Sequence, residues 1–159
     1  MNIETLQRNV RYAAETIYKE TGKSVGGPTN QCRRFVGAAL SGLLPNDALL
    51  GYLQLIEEER VGVRRLEMLY AEYPPLEEVL QCYGDNPGVP IIIEGPFIKN
   101  INEFHCAAII CNVGGQWAIA DSLLEKGLDI VNSPDDVVAW ARKTFYLDTA
   151  FFYPVEVNG

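Results

Sequence analysis

The chain is poor in the residue types that build metal centres and disulfide scaffolds. Its 159 residues include one histidine and four cysteines, and no Cys-x-x-Cys pair occurs. A zinc site is therefore not predicted, and we expect neither a metal nor a cofactor. The cysteines are also too sparse for a disulfide-rich scaffold, so free thiols in a reducing, cytoplasmic compartment are the better interpretation.

Basic residues and long apolar stretches are scarce as well. The 13 Lys and Arg residues are outnumbered by 21 Asp and Glu residues, which gives a formal net charge of −8. Such a chain repels a phosphate backbone, so a nucleic-acid partner is not expected. No run of about 18 apolar residues occurs, and the first residues lack the basic-then-apolar order of a signal peptide. We therefore expect no membrane partner.

The first half of the chain carries apolar residues at helical spacing. Leu6, Val10 and Ile17 form one such stripe, and Gly22 is a plausible end for the helix that carries it. Turn-forming residues separate this stripe from the next ones. The pattern predicts helices over 4–20, 32–43, around 49–56, 63–73 and 76–81.

The second half changes character after a dense turn signal at 84–88. Apolar and β-branched runs predict strands over 89–94, 105–111, 116–121 and 145–157. Ser133-Pro134-Asp135-Asp136 predicts the start of a helix. The sequence thus predicts an α+β fold with a single domain over 1–159. A helical lobe over about 1–83 packs on a small antiparallel sheet with one further helix, over about 84–159.

Three residues stand in an order that suits thiol catalysis. Cys32 lies at the predicted start of a helix, His105 opens an apolar strand, and Asp121 ends the next strand. A thiol at a helix N-terminus, an imidazole and a carboxylate can act as nucleophile, base and orienting group. Each alone is more often structural, but together they predict a catalytic triad of Cys32, His105 and Asp121.

The hairpin between the two strands predicts that the histidine meets the aspartate. A three-residue loop over 112–114 would end at a glycine, which tolerates the left-handed backbone that such a loop needs. With that loop, His105 and Asp121 are directly opposite each other and on one face of the ribbon. A different loop length would change this register.

The same alternation assigns the neighbouring side chains to faces. Three large apolar residues would share the face of the histidine: Ile109, Trp117 and Ile119. We expect that face to pack on the helix that begins at Cys32. Cys106 would point to the opposite face, and Cys82 and Cys111 are interpreted as packed core or edge residues.

The start of the Cys32 helix also supplies hydrogen-bond donors. Its first backbone N–H groups are candidates for an oxyanion hole, and Asn30 or Gln31 could add a side-chain donor. The predicted reaction class is acyl transfer from an amide. It covers hydrolysis of a peptide or isopeptide bond and deamidation of a glutamine.

The order of the three residues on helix, strand and strand resembles the papain-like cysteine peptidase superfamily. Within it, the C-terminal half is similar to Josephin domains, the ataxin-3 type of deubiquitinase. The residues behind this similarity are His105, Gly115-Gln116-Trp117 and Asp121-Ser122-Leu123-Leu124. The resemblance implies a papain-like fold, a thiol protease or deubiquitinase activity, and a polypeptide partner such as ubiquitin or a ubiquitin-pathway protein.

The sequence departs from the Josephin pattern in two places. Asp121 stands where Josephins carry asparagine, and glycines stand at positions 26 and 27, where the family expects an oxyanion-hole glutamine. Two alternatives stay open. Bacterial effectors that deamidate glutamine share the fold and act in a host cytosol, and a papain-like fold can also serve as an inactive interaction module.

Overall fold

A computed structural model describes residues 1–44, 63–65, 75–112 and 114–157. The helix predicted around 49–56 lies outside these residues. So does the helix predicted over 63–73, apart from residues 63–65.

Four helices are described, and two of them have the side-chain cap that their sequences suggest. The Asn2 side chain caps the first helix by accepting a 2.8 Å hydrogen bond from the Thr5 backbone N–H. Gly22, with φ 73°, ends that helix in the left-handed conformation. Ser133 caps the last helix by accepting from the Asp136 N–H. The bounds are α1 Ile3–Thr21, α2 Cys32–Ser41, α3 Leu76–Gly84 and α4 Pro134–Thr144.

The described strands form one six-stranded antiparallel sheet, which confirms the α+β class. The strand order across the sheet is β1-β6-β2-β3-β4-β5. A short 3₁₀ turn, Leu147–Thr149, precedes the last strand. The bounds are β1 Val63–Arg65, β2 Pro90–Phe97, β3 Asn100–Cys111, β4 Trp117–Ala120, β5 Leu128–Val131 and β6 Phe151–Val157.

Helices cover both faces of the sheet, and this corrects one expectation. The face that carries Cys106, Ala108 and Ile110 packs on α1 and α2. The opposite face, with Ile109, Trp117 and Ile119, packs on α3 and α4. The prediction that this second face meets the Cys32 helix is therefore wrong. Alternation along a strand gives the two faces but not the element that covers each. The division into two lobes stays a prediction.

The predicted register of the β3–β4 hairpin is also wrong, by two residues. Cys111 pairs with Trp117 and Ala108 with Ala120, because Asn112 and Gln116 close the loop through a 2.7 Å backbone hydrogen bond. The loop thus begins one residue later than predicted. A shift of two residues keeps every side chain on its predicted face.

Two segments take a different structure from the one predicted. Residues 63–65 begin no helix but form β1, whose backbone pairs with Val155 to Val157 of β6. The outer edge of β6 is thereby covered, a tertiary contact that local helical spacing does not encode. The predicted strand 145–157 begins only at Phe151, since Phe145 ends α4 and the 3₁₀ turn intervenes. No described helix has both the length and the apolar character that crossing a bilayer requires.

Candidate active site

The loop before Cys32 is fixed to the segment that follows β4. The Gly26 N–H donates a 2.8 Å hydrogen bond to the Ser122 carbonyl. At Gly26 φ is 96°, and an added Cβ would meet the Glu125 Cα at 3.0 Å. Only glycine fits this close approach without strain. The contact ties the chain before Cys32 to the residues directly after Asp121.

A second close approach fixes α2 itself. Gly127 has φ 75°, and an added Cβ there would lie 2.8 Å from Cζ of Phe35, one turn into α2. The Phe35 ring is fully buried. The helix therefore rests on the turn after β4, with its first residue, Cys32, facing the end of the sheet.

His105 and Asp121 form the central contact of the site. The His105 Nε2 lies 2.7 Å from the Asp121 Oδ1, and the exposed fractions of these residues are 7% and 1%. This confirms the predicted contact, although the observed register makes it diagonal. The second carboxylate oxygen, Oδ2, accepts a 3.2 Å hydrogen bond from the Trp140 Nε1, and the Leu123 N–H donates to Oδ1 at 3.0 Å. Asp121 is thus held from three sides.

The His105 ring lies between two phenylalanines. The ring centroids of Phe97 and Phe145 are each 5.6 Å from that of His105, and the Phe145 ring is stacked on it. Trp140 meets Phe145 edge-on at 5.9 Å. The sequence suggests only a core role for Trp140, and no sequence signal predicts its bond to Asp121.

Cys32 and His105 shift each other's pKa in opposite directions. A side-chain hydrogen bond from Cys106 and the hydrogen bond and charge of His105 outweigh burial and lower the Cys32 pKa from 9.0 to about 4. Burial works to lower the His105 pKa, but Asp121 and Cys32 outweigh it and raise it from 6.5 to about 9. Because Nε2 faces Asp121, Nδ1 is the ring nitrogen left for Cys32.

The pair opens onto a cleft of about 410 Å³. Arg33 and Glu103 contribute charge to its wall, and Phe97 and Phe104 contribute apolar surface. The full lining is Pro28, Thr29, Asn30, Cys32, Arg33, Phe97, Glu103, Phe104, His105, Ser122 and Leu123. Half-buried Cys32 and buried His105 thus line the same cleft, the kind of concave surface at which ligands bind.

The two oxyanion candidates lie in different environments. Asn30 lines the cleft and has a left-handed φ of 56°, a conformation that asparagine tolerates better than most residues. Gln31 is not among the lining residues, and its Oε1 accepts a 3.1 Å hydrogen bond from Arg34, which also pairs with Glu20. Helix geometry leaves the first N–H groups of α2 without intrahelical partners. These N–H groups and Asn30 are the better placed donors.

The other three thiols are not among the residues that line the cleft. Cys111 donates weakly to the Gly84 carbonyl at 3.6 Å, and Cys82 is a half-buried residue of α3. Cys106 is buried and on the face opposite His105, as predicted, but its effect on the Cys32 pKa is not foreseen by the sequence. Over the described ranges, no group of three or more His, Cys, Asp or Glu residues has the arrangement of a metal site.

Comparisons with known proteins add little to this geometry. No protein-family model matches the sequence, and neither does any curated protein. Among solved structures, the chain is similar to the Pseudomonas avirulence protein AvrPphB at 13% identity and a TM-score of 0.42. The match covers 96% of this chain and 94% of that one. A likeness at this level establishes neither family nor activity, so the Josephin resemblance stays a prediction.

Proposed function

We propose that this protein is a papain-like cysteine hydrolase that cleaves amide or isopeptide bonds of polypeptides. Cys32 is its nucleophile, His105 its base and acid, and Asp121 its orienting group. The observation that carries this proposal is the position of one buried imidazole. His105 is 2.7 Å from a carboxylate and lines the same cleft as a thiol whose pKa is lowered to about 4.

The geometry supports a two-step reaction. The Cys32 thiolate attacks the substrate carbonyl carbon, a C–S bond forms, and the charge passes to the oxygen, near the α2 N-terminus. The His105 imidazolium donates its proton to the leaving amine as the C–N bond breaks. His105, now neutral, takes a proton from water, which attacks the thioester and releases Cys32. Asp121 stabilises the imidazolium throughout.

A polypeptide substrate is supported by the strand that leads into the site. In the described part of the chain, β4 pairs with β3 only at residues 108–111, and residues 100–104 of β3 are exposed. That stretch presents backbone donors and acceptors directly before His105. An extended polypeptide can add to such an edge by backbone hydrogen bonds. Ile101 and Phe104 provide exposed apolar surface beside it.

Within this class, the Josephin resemblance favours a deubiquitinase. The net charge of −8 is also compatible with an arginine-bearing ubiquitin tail, although charge alone selects no partner. A ubiquitin–propargylamide probe tests this level of the proposal, because a thiol that accepts the ubiquitin tail forms a stable adduct with it. We expect labelling of the wild type at Cys32.

The hydrolase proposal itself is tested by reactivity. Iodoacetamide should modify Cys32 rapidly at pH 5, where an ordinary thiol is almost fully protonated. Cys32→Ala should lose this reaction together with hydrolysis of a fluorogenic peptide library. Cys82→Ala is the matched control, because Cys82 is a half-buried thiol outside the site. It should leave both activities unchanged.

The outcomes separate the open alternatives. Reactive Cys32 without peptide or ubiquitin cleavage, but with conversion of substrate glutamine to glutamate by mass spectrometry, would replace the protease by a deamidase. A Cys32 that reacts only at the pH of a free thiol, in a correctly folded protein, would contradict the enzyme proposal and leave an interaction module.

A further inference from the structure

Ser122 carries a nearly buried hydroxyl that the proposed reaction leaves unused. It directly follows Asp121, has an exposed fraction of 2% and lines the cleft that Cys32 and His105 also line. A buried hydroxyl ordinarily finds a hydrogen-bond partner within the protein. Across the described ranges, no group bonds the Ser122 side chain. This hydroxyl therefore has its hydrogen-bonding capacity free for a ligand.

The unpaired oxygen reaches the surface of the cleft. In the described residues, every side-chain oxygen or nitrogen that is fully shielded from solvent has a hydrogen-bond partner. The Ser122 oxygen has none, so it lies at accessible surface, and Ser122 lines the cleft there. Thr29, the other nearly buried hydroxyl residue of the cleft, differs because its oxygen accepts a 3.2 Å hydrogen bond from the Gln31 N–H.

The backbone on both sides of this hydroxyl is fixed. The Ser122 carbonyl accepts a 2.8 Å hydrogen bond from the Gly26 N–H, which joins this segment to the loop that leads into α2. The Asp121 N–H donates to the Gly127 carbonyl at 3.0 Å, and the Leu123 N–H donates to the Asp121 carboxylate at 3.0 Å. The segment is thus ordered before a ligand arrives, so binding to the hydroxyl costs little further ordering.

We propose that Ser122 is a substrate-binding residue whose hydroxyl donates a hydrogen bond to a backbone carbonyl oxygen of the polypeptide in the cleft. This role rests on the proposed function, since it requires the substrate amide to lie at Cys32. A serine hydroxyl can donate or accept. The N-terminus of α2 lies at the same cleft and favours an oxygen on the ligand. Every peptide brings such an oxygen, so the contact adds affinity without selecting side chains.

The test compares Ser122→Ala with the wild type in hydrolysis of several fluorogenic peptides of different sequence. We expect kcat/KM to fall about two- to tenfold for every peptide, the equivalent of one neutral hydrogen bond. The unfolding free energy from urea denaturation should not decrease, because the hydroxyl loses no partner within the protein. Ser41→Ala is the matched control, since the Ser41 hydroxyl already donates to the Gly37 carbonyl at 2.6 Å, outside the cleft. It should leave hydrolysis unchanged.

Alkylation of Cys32 by iodoacetamide separates this role from the proposed function. The small reagent brings no polypeptide backbone, so Ser122→Ala should keep the wild-type rate and pH dependence. If wild-type Cys32 reacts as an ordinary thiol and no peptide is hydrolysed, the proposed function fails. Three results with an active wild type would refute only the role of Ser122: full activity of Ser122→Ala, parallel loss of hydrolysis and alkylation, or a loss confined to peptides with one particular side chain.

A crystal structure of a complex keeps the proposal testable if Ser122→Ala does not fold. Cys32→Ala removes the nucleophile and retains Ser122, so it can be crystallised with the peptide that the wild type cleaves best. We expect the Ser122 Oγ to lie about 3 Å from a backbone carbonyl oxygen of that peptide. A bound peptide with no carbonyl oxygen within hydrogen-bonding distance of Ser122 would overturn the proposal.

Discussion

The two helical layers fix different parts of the candidate site by different means. On the α3/α4 side, directional bonds hold the acid–base couple: Trp140 donates to Asp121, and Phe145 stacks on His105. On the α1/α2 side, backbone contact and packing place Cys32, through Gly26 against Glu125 and Gly127 against Phe35. The chemistry depends on the two layers meeting at one end of the sheet.

Because of this difference, we expect substitutions in one layer to change the electrostatics of the imidazole and substitutions in the other layer to change the position of the Cys32 sulfur. A change in the α3/α4 layer alters the charge and orientation of the imidazole while the sulfur stays in place. A change at the α1/α2 contact shifts the sulfur while the His105–Asp121 bond stays intact. Variants of the two layers should therefore differ in which property they change.

Removal of the imidazole should slow hydrolysis by Cys32 far more than it slows alkylation of Cys32. His105→Gln abolishes proton transfer to the leaving amine, so hydrolysis should fall by about 10²–10⁴-fold. Alkylation should persist, because the N-terminus of α2 still stabilises the thiolate, but with its acid limb at higher pH. Parallel hydrolysis and alkylation assays measure both effects. Equal loss of both reactions in a folded variant would contradict the division between layers.

In the wild type, hydrolysis and alkylation should also differ in their pH dependence. Hydrolysis needs the thiolate and the imidazolium together, so its rate should fall below about pH 4, as Cys32 gains a proton, and above about pH 9, as His105 loses one. Each limb should approach a tenfold loss per pH unit. Alkylation needs only the thiolate and should show the acid limb alone.

Asp121→Asn provides the control for the basic limb. The hydrogen bond and charge of Asp121 help raise the His105 pKa, so the neutral amide should move the basic limb of hydrolysis to lower pH. The alkylation plateau should hardly change. A basic limb that stays near pH 9 in this variant would contradict the assignment of that limb to His105.

Damage to the α1/α2 contact should appear first in stability. Gly127→Ala combines left-handed strain with a clash against the buried Phe35 ring, so it should lower the unfolding free energy by about 2–4 kcal/mol. Gly22→Ala is matched to it. Its φ is 73°, but an added Cβ meets nothing within 4 Å, so about 1–2 kcal/mol is expected.

Urea denaturation of both variants measures the difference, which isolates the packing of α2 on the turn after β4. Equal losses for Gly127→Ala and Gly22→Ala would show that this turn does not position α2.

The smallest effect should come from the third donor to Asp121. Trp140→Phe removes the Nε1 donor and retains an aromatic ring beside Phe145. Since Leu123 and His105 still bind the carboxylate, hydrolysis should fall by only about two- to tenfold, the equivalent of one modest hydrogen bond. The acid limb of Cys32 alkylation should not move. A shift of that limb would mean that the α3/α4 layer also sets the sulfur.

The sequence predicts the three residues of the proposed triad better than it predicts the residues that hold them in place. Cys32, His105 and Asp121 follow from residue type and order, and the contact between the last two survives a register error of two residues because side-chain parity is preserved. Trp140 is interpreted as a core residue. Its bond to Asp121 depends on which neighbour lies across a tertiary contact, and no local pattern records that.

Residue periodicity determined that the first half is mainly helical and the second half mainly strands, and which side chains share a strand face. The order of residue types determined where a thiol, an imidazole and a carboxylate occur along these elements. Only the tertiary structure decided that α2 covers the Cys106 face, that residues 63–65 pair with β6, and that three donors converge on Asp121. The physical reason is that apolar burial drives faces together without direction. Close backbone approach and hydrogen-bond geometry then select the partner.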